Sequence, residues 1–204
     1  MPNTKLSEKK SARQQLLERR LNLLNADRSV WDKQIADALF FQSFFRQATK
    51  IACYFSHLNE PQLLPIILNY LEQHPEHQHT KSLYLPILKK SPQGSSLLFG
   101  LCKQDTQYKN NVYGIPEPNI SDQFILDANE LDLILMPLVG FDHTKKRLGM
   151  GGGFYDRTLS FKLQNPNIKP YLVGIAYECQ KIESIPTENH DIALDNIITE
   201  SQIY

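Results

Sequence analysis

The stretch LDLILMP, residues 131–137, decides the fold of this chain, because it is an almost unbroken apolar run that ends at a proline. A strand that is apolar on both faces must be covered on both faces, which is typical of a parallel sheet lying between helices. The runs IACYF (51–55) and YLVGIAY (171–177) have the same character. The sequence therefore predicts an α/β fold with these three strands inside a parallel sheet.

Other segments complete this pattern. Helical spacing of apolar residues predicts helices over residues 6–24 and 31–45, and SLYLPIL (82–88) and SLLFGL (96–101) predict strands. Ser7 is the expected N-cap of the first helix, Pro61 is expected in the first turn of a further helix, and Pro86 is expected near a sheet edge or a strand end. The alternation predicts one three-layer αβα domain over residues 1–204, with a mainly parallel, Rossmann-like open sheet and an N-terminal helical segment (about 6–46) packed on it.

Composition and charge exclude several classes of protein. Of the 204 residues, 41% are apolar and 22% are charged, and the formal net charge is zero. This balance gives no reason to expect a nucleic acid or a membrane surface as partner. The polar, basic N-terminus and the lack of a run of about 18 apolar residues predict a soluble, cytoplasmic protein. We expect a monomer that acts on small molecules.

Two sets of metal-ligand side chains have simple explanations. The cysteines, Cys53, Cys102 and Cys179, are far apart and form no CxxC motif, which favours buried, unreactive thiols in a reducing compartment. The segment HPEHQH places His74, His77 and His79 close together. It is either a metal site or a solvated loop, and the loop is favoured because no scaffold of carboxylates and cysteines accompanies it.

The glycine-rich stretch RLGMGGGFYDR (147–157) follows the strand of residues 131–137 and precedes a helix predicted from about Phe154. Backbone N–H groups without Cβ atoms, at a helix N-terminus, suit phosphate oxygens. Arg147 can hold phosphate bidentately, and the carboxylate of Asp156 can hold Mg²⁺ beside a nucleotide. The stretch predicts a nucleotide-phosphate site, with a tightly packed strand-to-helix turn as the alternative.

Two common glycine motifs are excluded here. A P-loop requires a lysine after its glycines, and none follows. A dinucleotide fingerprint GxGxxG that begins at Gly149 meets Phe154 in place of its third glycine, and one that begins at Gly151 meets Asp156.

RLGMGGGFYDR closely resembles the signature of the 5-formyltetrahydrofolate cyclo-ligase family, bacterial type, also called methenyltetrahydrofolate synthetase. The similarity extends over LILMPLVGFDHTKKRLGMGGGFYDRTL, and four further motifs occur in the family's order. These motifs are KKSAR (9–13), YFSHLNE (54–60), YGIPEP (113–118) and PTENHDIALD (186–195). The resemblance covers roughly residues 5–200.

The resemblance implies an ATP-driven cyclisation of 5-formyltetrahydrofolate to 5,10-methenyltetrahydrofolate. The formyl oxygen attacks the γ-phosphate of ATP, and N10 of the same folate then attacks the resulting imidoyl phosphate. Phosphate leaves, and ADP is the other product. Because the second attack is intramolecular, such an enzyme mainly holds geometry and stabilises charge.

The resemblance also implies roles for particular residues. ATP would contact the KKSAR motif and the glycine stretch, namely Lys9, Lys10, Ser11, Ala12, Arg13, Arg147, Leu148, Gly149, Met150, Gly151, Gly152, Gly153, Phe154 and Tyr155. The folate would contact Phe55, Glu60 and Tyr113, and the part of the glycine stretch formed by Met150, Gly151, Gly152, Gly153 and Phe154. Asp156 and Asp191 would hold Mg²⁺, and Arg147 and Asp156 would be catalytic.

Alternatives remain for these assignments. Lys9 and Arg13, four residues apart, could form a solvated basic face. Phe55 could be a core side chain, and Glu60 a surface glutamate. The remaining alternatives are a rigid connection for Tyr113 and a helix or turn cap for Asp191.

The activity itself has alternatives, and one of the motifs departs from the family pattern. Another small-molecule ATP-dependent phosphotransferase on this fold, or a non-catalytic nucleotide- or folate-binding homologue, is the competing hypothesis for function. Some relatives carry basic residues where this chain has Met150 and Gly152. The phosphate charge must then be met by Arg147, by the KKSAR cations or by Lys145 and Lys146, while Arg157 either supplies a cation or faces solvent.

Overall fold

The structure, a computed structural model, describes residues 2–74, 80–92 and 94–204. Its helices are α1 (Pro2–Leu21), α2 (Asn25–Phe40), α3 (Ser43–Gln47), α4 (Leu63–Gln73) and α5 (Phe154–Thr158). Its strands are β1 (Lys50–Ala52), β2 (Ser82–Lys89), β3 (Ser96–Cys102), β4 (Tyr108–Asn110), β5 (Pro116–Pro118), β6 (Ile125–Leu126), β7 (Leu133–Pro137), β8 (Gly140–Phe141), β9 (Arg147–Leu148), β10 (Tyr171–Ile175) and β11 (Asn196–Ile198). His77 and His79 of the histidine segment lie outside the described residues.

The main sheet has seven strands in the order β11-β10-β7-β1-β2-β3-β6. The pairs from β11 to β2 are all parallel, whereas β3 and β6 join antiparallel. β7 lies between β10 and β1, and the side chains of its first four residues are buried. The expectation drawn from LDLILMP, a mainly parallel sheet with this strand inside it, is therefore confirmed.

Alternation along the strands divides the core into two layers. Ile51, Leu133 and Val173 lie in a cluster with the apolar side chains of α2 and α4. Ile134 and Leu172 lie in a second cluster, which includes side chains of α5 and of the loops near it. The predicted three-layer α/β class is correct, although the second face is covered by one short α-helix, 3-10 turns and loops.

Two helix starts predicted from the sequence are wrong. α1 begins at Pro2, so Ser7 lies inside the helix and does not cap it. α4 begins at Leu63, so Pro61 lies before the helix, and Pro65 occupies the first turn. A proline is tolerated there because the first N–H groups of a helix have no intrahelical partner.

Pro86 lies inside the sheet, where a missing N–H group could be costly. β1 pairs with β2 only over Ser82 to Tyr84, so Pro86 lies beyond the end of that neighbour. On its other side Pro86 pairs with Phe99 of β3. Pro86 is therefore an inner residue of an inner strand, so the expectation of a sheet edge or strand end is wrong. Its missing N–H group is tolerated because the ladder to β1 ends before it.

The cysteine thiols are free, and Cys53 and Cys102 are buried. Burial raises the pKa of Cys53 to about 12, so this thiol is neutral and unreactive near pH 7. Within the ranges described above, no helix has both the length and the apolar character needed to cross a membrane.

The sheet topology determines where ligands can bind. In open α/β sheets the crevice lies beyond the carboxyl ends of the parallel strands. The loop after β1 carries Phe55 and Glu60, and the chain after β7 runs through the β8–β9 ribbon to the glycine stretch. Both segments with predicted site residues thus leave the same edge of the sheet.

Candidate active site

The glycine stretch forms an open turn between β9 and α5. Gly151 and Gly153 have φ values of 96° and 63°, which side chains with a Cβ rarely adopt. A Cβ on Gly149 would have open space around it, whereas one on Gly151 would lie 3.4 Å from the guanidinium carbon of Arg13. The backbone is therefore open at one end of the turn and in ordinary contact with an arginine in the middle.

α1 brings Arg13 to this turn and Lys9 to the segment that contains Asp191. Arg13 Nε donates to the Gly149 carbonyl over 2.7 Å. Lys9 Nζ lies 3.0 Å from Asp191 Oδ2 and 3.3 Å from Glu188 Oε1, and the lysine side chain is only 11% exposed. The alternative of a solvated basic face is therefore wrong for this pair.

The remaining residues of KKSAR are placed differently. Lys10 and Ser11 are exposed on α1. Ala12 packs against a small apolar cluster that contains Leu16 and Leu148. The motif therefore presents Arg13 to the glycine turn and Lys9 to Asp191, and its middle residues anchor the helix or face solvent.

Arg147 ties the glycine turn to the segment that contains Asp191. Its Nη2 lies 2.6 Å from Asp156 Oδ1, and its Nη1 donates to the Ile192 carbonyl over 2.7 Å. The Ile192 N–H donates back to Asp156 Oδ1 over 3.2 Å. The predicted cation and both predicted metal ligands are thus gathered in one place, although Asp156 and Asp191 are far apart in the sequence.

Asp191 closes a turn, which was the alternative considered for it, and it also pairs with a cation. Its Oδ2 accepts from the Glu188 N–H over 2.9 Å, which closes a turn, and it also accepts from Lys9. Partial burial acts to raise the pKa of Asp191, but the Glu188 N–H and the Lys9 ammonium outweigh it and hold the pKa below its usual value. Asp191 is therefore ionised at neutral pH.

The two carboxylates fit a nucleotide-bound Mg²⁺ better than a metal site made of protein ligands alone. In the described part of the chain, no three His, Cys, Asp or Glu side chains form a metal-binding group. Asp156 uses Oδ1 for its hydrogen bonds and Asp191 uses Oδ2, so each has a second oxygen. Mg²⁺ beside a nucleotide commonly takes only one or two carboxylates, with phosphate and water as the other ligands.

The predicted folate contacts lie on a second side of the turn, with two tyrosines near them. The ring of Phe55 meets Tyr108 edge-on at 5.2 Å between centroids, and Tyr113 lies 5.8 Å from Phe154. Both tyrosines come from the β4–β5 segment, so this ribbon faces the loop after β1 and the glycine turn together. The sequence reasoning missed Tyr108, whose position depends on the β4–β5 pairing.

Glu60 is buried, so its alternative as a surface glutamate is wrong. Its Oε2 accepts from the His57 N–H over 3.1 Å, and its Oε1 lies 3.7 Å from Arg20 Nη2. Burial raises the pKa of Glu60 to about 7, although Arg20 and the His57 N–H act in the opposite direction. This carboxyl group can therefore change its charge near neutral pH.

Tyr155 connects the two sides of the site electrostatically. Burial raises the pKa of its hydroxyl, and the charge of Glu60 adds to that rise. The charge of Arg147 acts in the opposite direction. Tyr155 thus lies within the fields of the buried carboxylate and of the arginine on the phosphate side.

Arg157 holds the glycine turn in place. It donates through Nε to the Ser95 carbonyl over 2.7 Å and through Nη2 to the Gly152 carbonyl. Its guanidinium also lies 5.7 Å from the centre of the Phe154 ring. Arg157 is exposed on α5, as the solvent-facing hypothesis expected, but neither that hypothesis nor the hypothesis of a phosphate cation describes its bracing contacts.

Arg157→Met should loosen the glycine turn. Because two backbone contacts of the guanidinium are lost, we expect the N–H group of residue 157, which donates to the Gly153 carbonyl over 3.1 Å, to exchange about 10-fold faster, corresponding to about 1.4 kcal/mol of local stability. Hydrogen-exchange mass spectrometry of the wild type and of the variant measures this. Arg19→Met, at an exposed arginine of α1, is the control. Equal exchange in all three proteins would show that Arg157 does not brace the turn.

The fold and the site together define a class of protein. An open, mostly parallel α/β sheet carries at its carboxyl edge a bare glycine backbone, three cations and two carboxylates, which suits an α/β enzyme that handles a phosphorylated ligand.

Comparison with known proteins identifies the family. The sequence profile of the 5-formyltetrahydrofolate cyclo-ligase family matches residues 5–200, and the chain belongs to this family. A relative from Haemophilus influenzae named 5-formyltetrahydrofolate cyclo-ligase is 44% identical over 153 residues, which are 75% of this chain and 76% of the relative.

Two solved structures share the fold. The NMR structure of Aquifex aeolicus 5,10-methenyltetrahydrofolate synthetase is 28% identical and covers 96% of this chain and 91% of its own, with a TM-score of 0.75. A 5,10-methenyltetrahydrofolate synthetase from Mycoplasma pneumoniae is 25% identical, with a TM-score of 0.69, and covers 94% of this chain and 98% of its own. The predictions of the family, of the α/β class and of a cyclo-ligase enzyme are confirmed. The roles of the individual site residues stay predictions.

Proposed function

We propose that this protein catalyses the ATP-dependent cyclisation of 5-formyltetrahydrofolate to 5,10-methenyltetrahydrofolate, with release of ADP and phosphate. Its family and its named relatives support the reaction. One observation supports the ATP requirement above the others: Arg13 contacts the glycine turn, while Arg147 pairs with Asp156 and Lys9 pairs with Asp191 beside it. Cations and N–H groups suit the phosphate oxygens of ATP, and carboxylates suit the Mg²⁺ that accompanies them.

The proposed chemistry balances without any further reactant. The formyl oxygen attacks the γ-phosphorus, and the bond to the β–γ bridging oxygen breaks, releasing ADP. The formyl carbon is now part of an imidoyl phosphate, and N10 of the same molecule attacks it. The C–O bond breaks, phosphate carries away the formyl oxygen, and N10 loses its proton. Phosphorylation is needed because the oxygen of a formamide is otherwise a poor leaving group.

Arg147 is the cation that we assign to the transferring phosphoryl group. Its side chain is only 7% exposed, and its guanidinium is oriented by Asp156 and by the Ile192 carbonyl. Lys145 instead donates to the Asp195 carbonyl, and Arg157 donates to backbone carbonyls. Met150 and Gly152 stand where some relatives have a basic residue, so several other cations were candidates to meet the phosphate charge. Among these cations, Arg147 is the most preorganised.

Asp156 and Asp191 are the residues that would hold Mg²⁺ with the nucleotide. When bound, the ion supplies positive charge against the phosphate oxygens. Each of these carboxylates also pairs with a cation of the site, Arg147 with Asp156 and Lys9 with Asp191. The charge of each carboxylate therefore determines how strongly its partner cation attracts phosphate.

The folate would lie between the β4–β5 ribbon and the loop after β1. The rings of Phe55 and Tyr113 offer stacking surfaces. The buried Glu60 carboxylate offers hydrogen-bond acceptors to pterin N–H groups when it is ionised. Tyr155, within the fields of Glu60 and Arg147, lies where the folate side and the phosphate side would meet.

A reconstituted assay tests the proposal. ADP should form only when ATP, Mg²⁺ and 5-formyltetrahydrofolate are all present, together with the absorbance of the methenyl product. 10-Formyltetrahydrofolate in place of the 5-formyl compound should give neither signal. A folded protein that cleaves ATP equally well without the folate would contradict the proposal and favour another phosphotransferase.

A further inference from the structure

Arg20 is a buried arginine with an unusual set of contacts. It lies near the end of α1 and is only 1% exposed. Its Nε donates to the Leu58 carbonyl over 2.9 Å, and its Nη1 donates to the Leu138 carbonyl over 2.8 Å. Its Nη2 finds no hydrogen-bond partner within the described residues, and it lies 3.7 Å from Glu60 Oε1.

These contacts join the two loops that form the candidate site. Leu58 belongs to the loop after β1, which carries Glu60, and Leu138 begins the segment after β7 that leads to the glycine turn. A guanidinium can donate in three directions from one plane, which no other side chain can do. Burying this charge is costly, and leucine or methionine would fill the space at lower cost, so a packing role alone does not account for it.

The separation of 3.7 Å between Arg20 Nη2 and Glu60 Oε1 matters for binding. A bidentate pair would use both carboxylate oxygens of Glu60 as acceptors. Here the arginine acts on Glu60 through its charge, and the only backbone donor to the carboxylate in the described structure is the His57 N–H, on Oε2. Oε1 therefore keeps its lone pairs. The other titratable groups that interact with Glu60 are Tyr54 and Tyr155.

We propose that Arg20 is a positioning residue for the folate: it fixes the loops after β1 and β7 and favours the ionised form of Glu60 without occupying Oε1, so that Glu60 can accept hydrogen bonds from pterin N–H donors. This inference rests on the proposed function.

The proposal predicts how the affinity for the folate depends on pH. Burial raises the pKa of Glu60 to about 7 against the opposing charge of Arg20. Folate affinity in the wild type should therefore fall as the pH drops through about 7, because the carboxylate takes up a proton. Without the charge of Arg20 the pKa rises further, so the midpoint moves to higher pH, and the affinity lost at neutral pH returns in alkali.

The test is the dissociation constant of 5-formyltetrahydrofolate between about pH 5.5 and 9.5, measured by isothermal titration calorimetry without ATP. Arg20→Gln keeps a donor for the carbonyls but removes the charge, and we expect its midpoint to lie about one pH unit higher, with about 5-fold weaker binding near pH 7 and about 10-fold weaker binding near pH 5.5. Arg20→Lys keeps the charge, so its midpoint should stay near that of the wild type while the affinity falls evenly at every pH. Glu60→Gln should remove the transition.

Control variants and outcomes separate the possible failures. Arg19→Gln, at the exposed neighbouring arginine, should match the wild type. An Arg20→Gln protein that binds weakly at every pH with an unchanged midpoint would show that Arg20 only stabilises the loops, and would overturn the inference. Should that variant not fold, a midpoint shift in Arg20→Lys as large as one unit would overturn it instead. A wild type that binds no folate at any pH would contradict the proposed function itself.

Discussion

Arg147→Gln should lower kcat about 100- to 1000-fold and change the KM for 5-formyltetrahydrofolate by only a few-fold. Charge on the transferring phosphoryl group is greatest in the transition state, and removing one preorganised donor from such a site costs about this much. Arg147 is preorganised because its two Nη atoms are held by Asp156 and by the Ile192 carbonyl. Steady-state kinetics, with each substrate varied in turn, measures both parameters.

Two further variants sharpen this test. Arg147→Lys keeps the charge but cannot make both contacts, so its kcat should lie between those of the wild type and Arg147→Gln. Lys33→Gln removes a positive charge from an exposed position on α2 and should leave the kinetics unchanged. If Arg147→Gln affected only the KM for the folate, the arginine would belong to the folate side of the site.

Asp156→Asn should lower turnover by at least about 100-fold and abolish the effect of Mg²⁺ on ATP binding. The same change should strengthen the binding of metal-free ATP about 3- to 5-fold. The reason for the gain is that Asp156 pairs with Arg147 over 2.6 Å, and a partly exposed pair of this kind is worth up to about 1 kcal/mol. Without the carboxylate, the arginine is available to phosphate.

Titration of ATP into the protein, with EDTA and with Mg²⁺, measures both effects. Asp191→Asn should behave in the same way, because it releases Lys9. Asp37→Asn, at an exposed site on α2, is the matched control. An Asp156→Asn protein whose ATP affinity still rises with Mg²⁺ as in the wild type would exclude this aspartate as a metal ligand.

The central strands could be predicted because their environment leaves little choice of residue. A strand buried on both faces, such as β7, must be apolar throughout, and that pattern is visible without any neighbour. The helix starts were less predictable: Ser7 has the chemistry of a cap, yet α1 extends past it. α5 and loops cover the second face of the sheet. Such short segments show no hydrophobic periodicity, so the sequence could not predict this covering.

Some features of the site could also be predicted from the sequence, and others depend on the complete fold. The glycine turn could be recognised from its glycines. Two of them, Gly151 and Gly153, adopt φ values that favour glycine, so the conformation is visible in the sequence. The pairing of Lys9 with Asp191, 182 residues apart, depends on the complete fold, and the sequence linked these residues only through family resemblance.

Glu60 lies in a polar stretch whose sequence predicts a surface position. Its burial beside Arg20 depends on the tertiary structure. The burial of Arg20 is visible in the sequence, because Arg20 follows Leu16 by four residues and so lies on the apolar face of α1.

The fate of the formyl oxygen tests the central claim most directly. 5-Formyltetrahydrofolate labelled with ¹⁸O in the formyl group is converted with unlabelled ATP in unlabelled water, and the phosphate released is analysed by mass spectrometry. If the formyl oxygen attacks the γ-phosphorus, each molecule of methenyl product should yield one phosphate that carries one ¹⁸O atom. Unlabelled phosphate, released together with the methenyl product, would contradict the account, because ATP would then be cleaved by water and not by the folate.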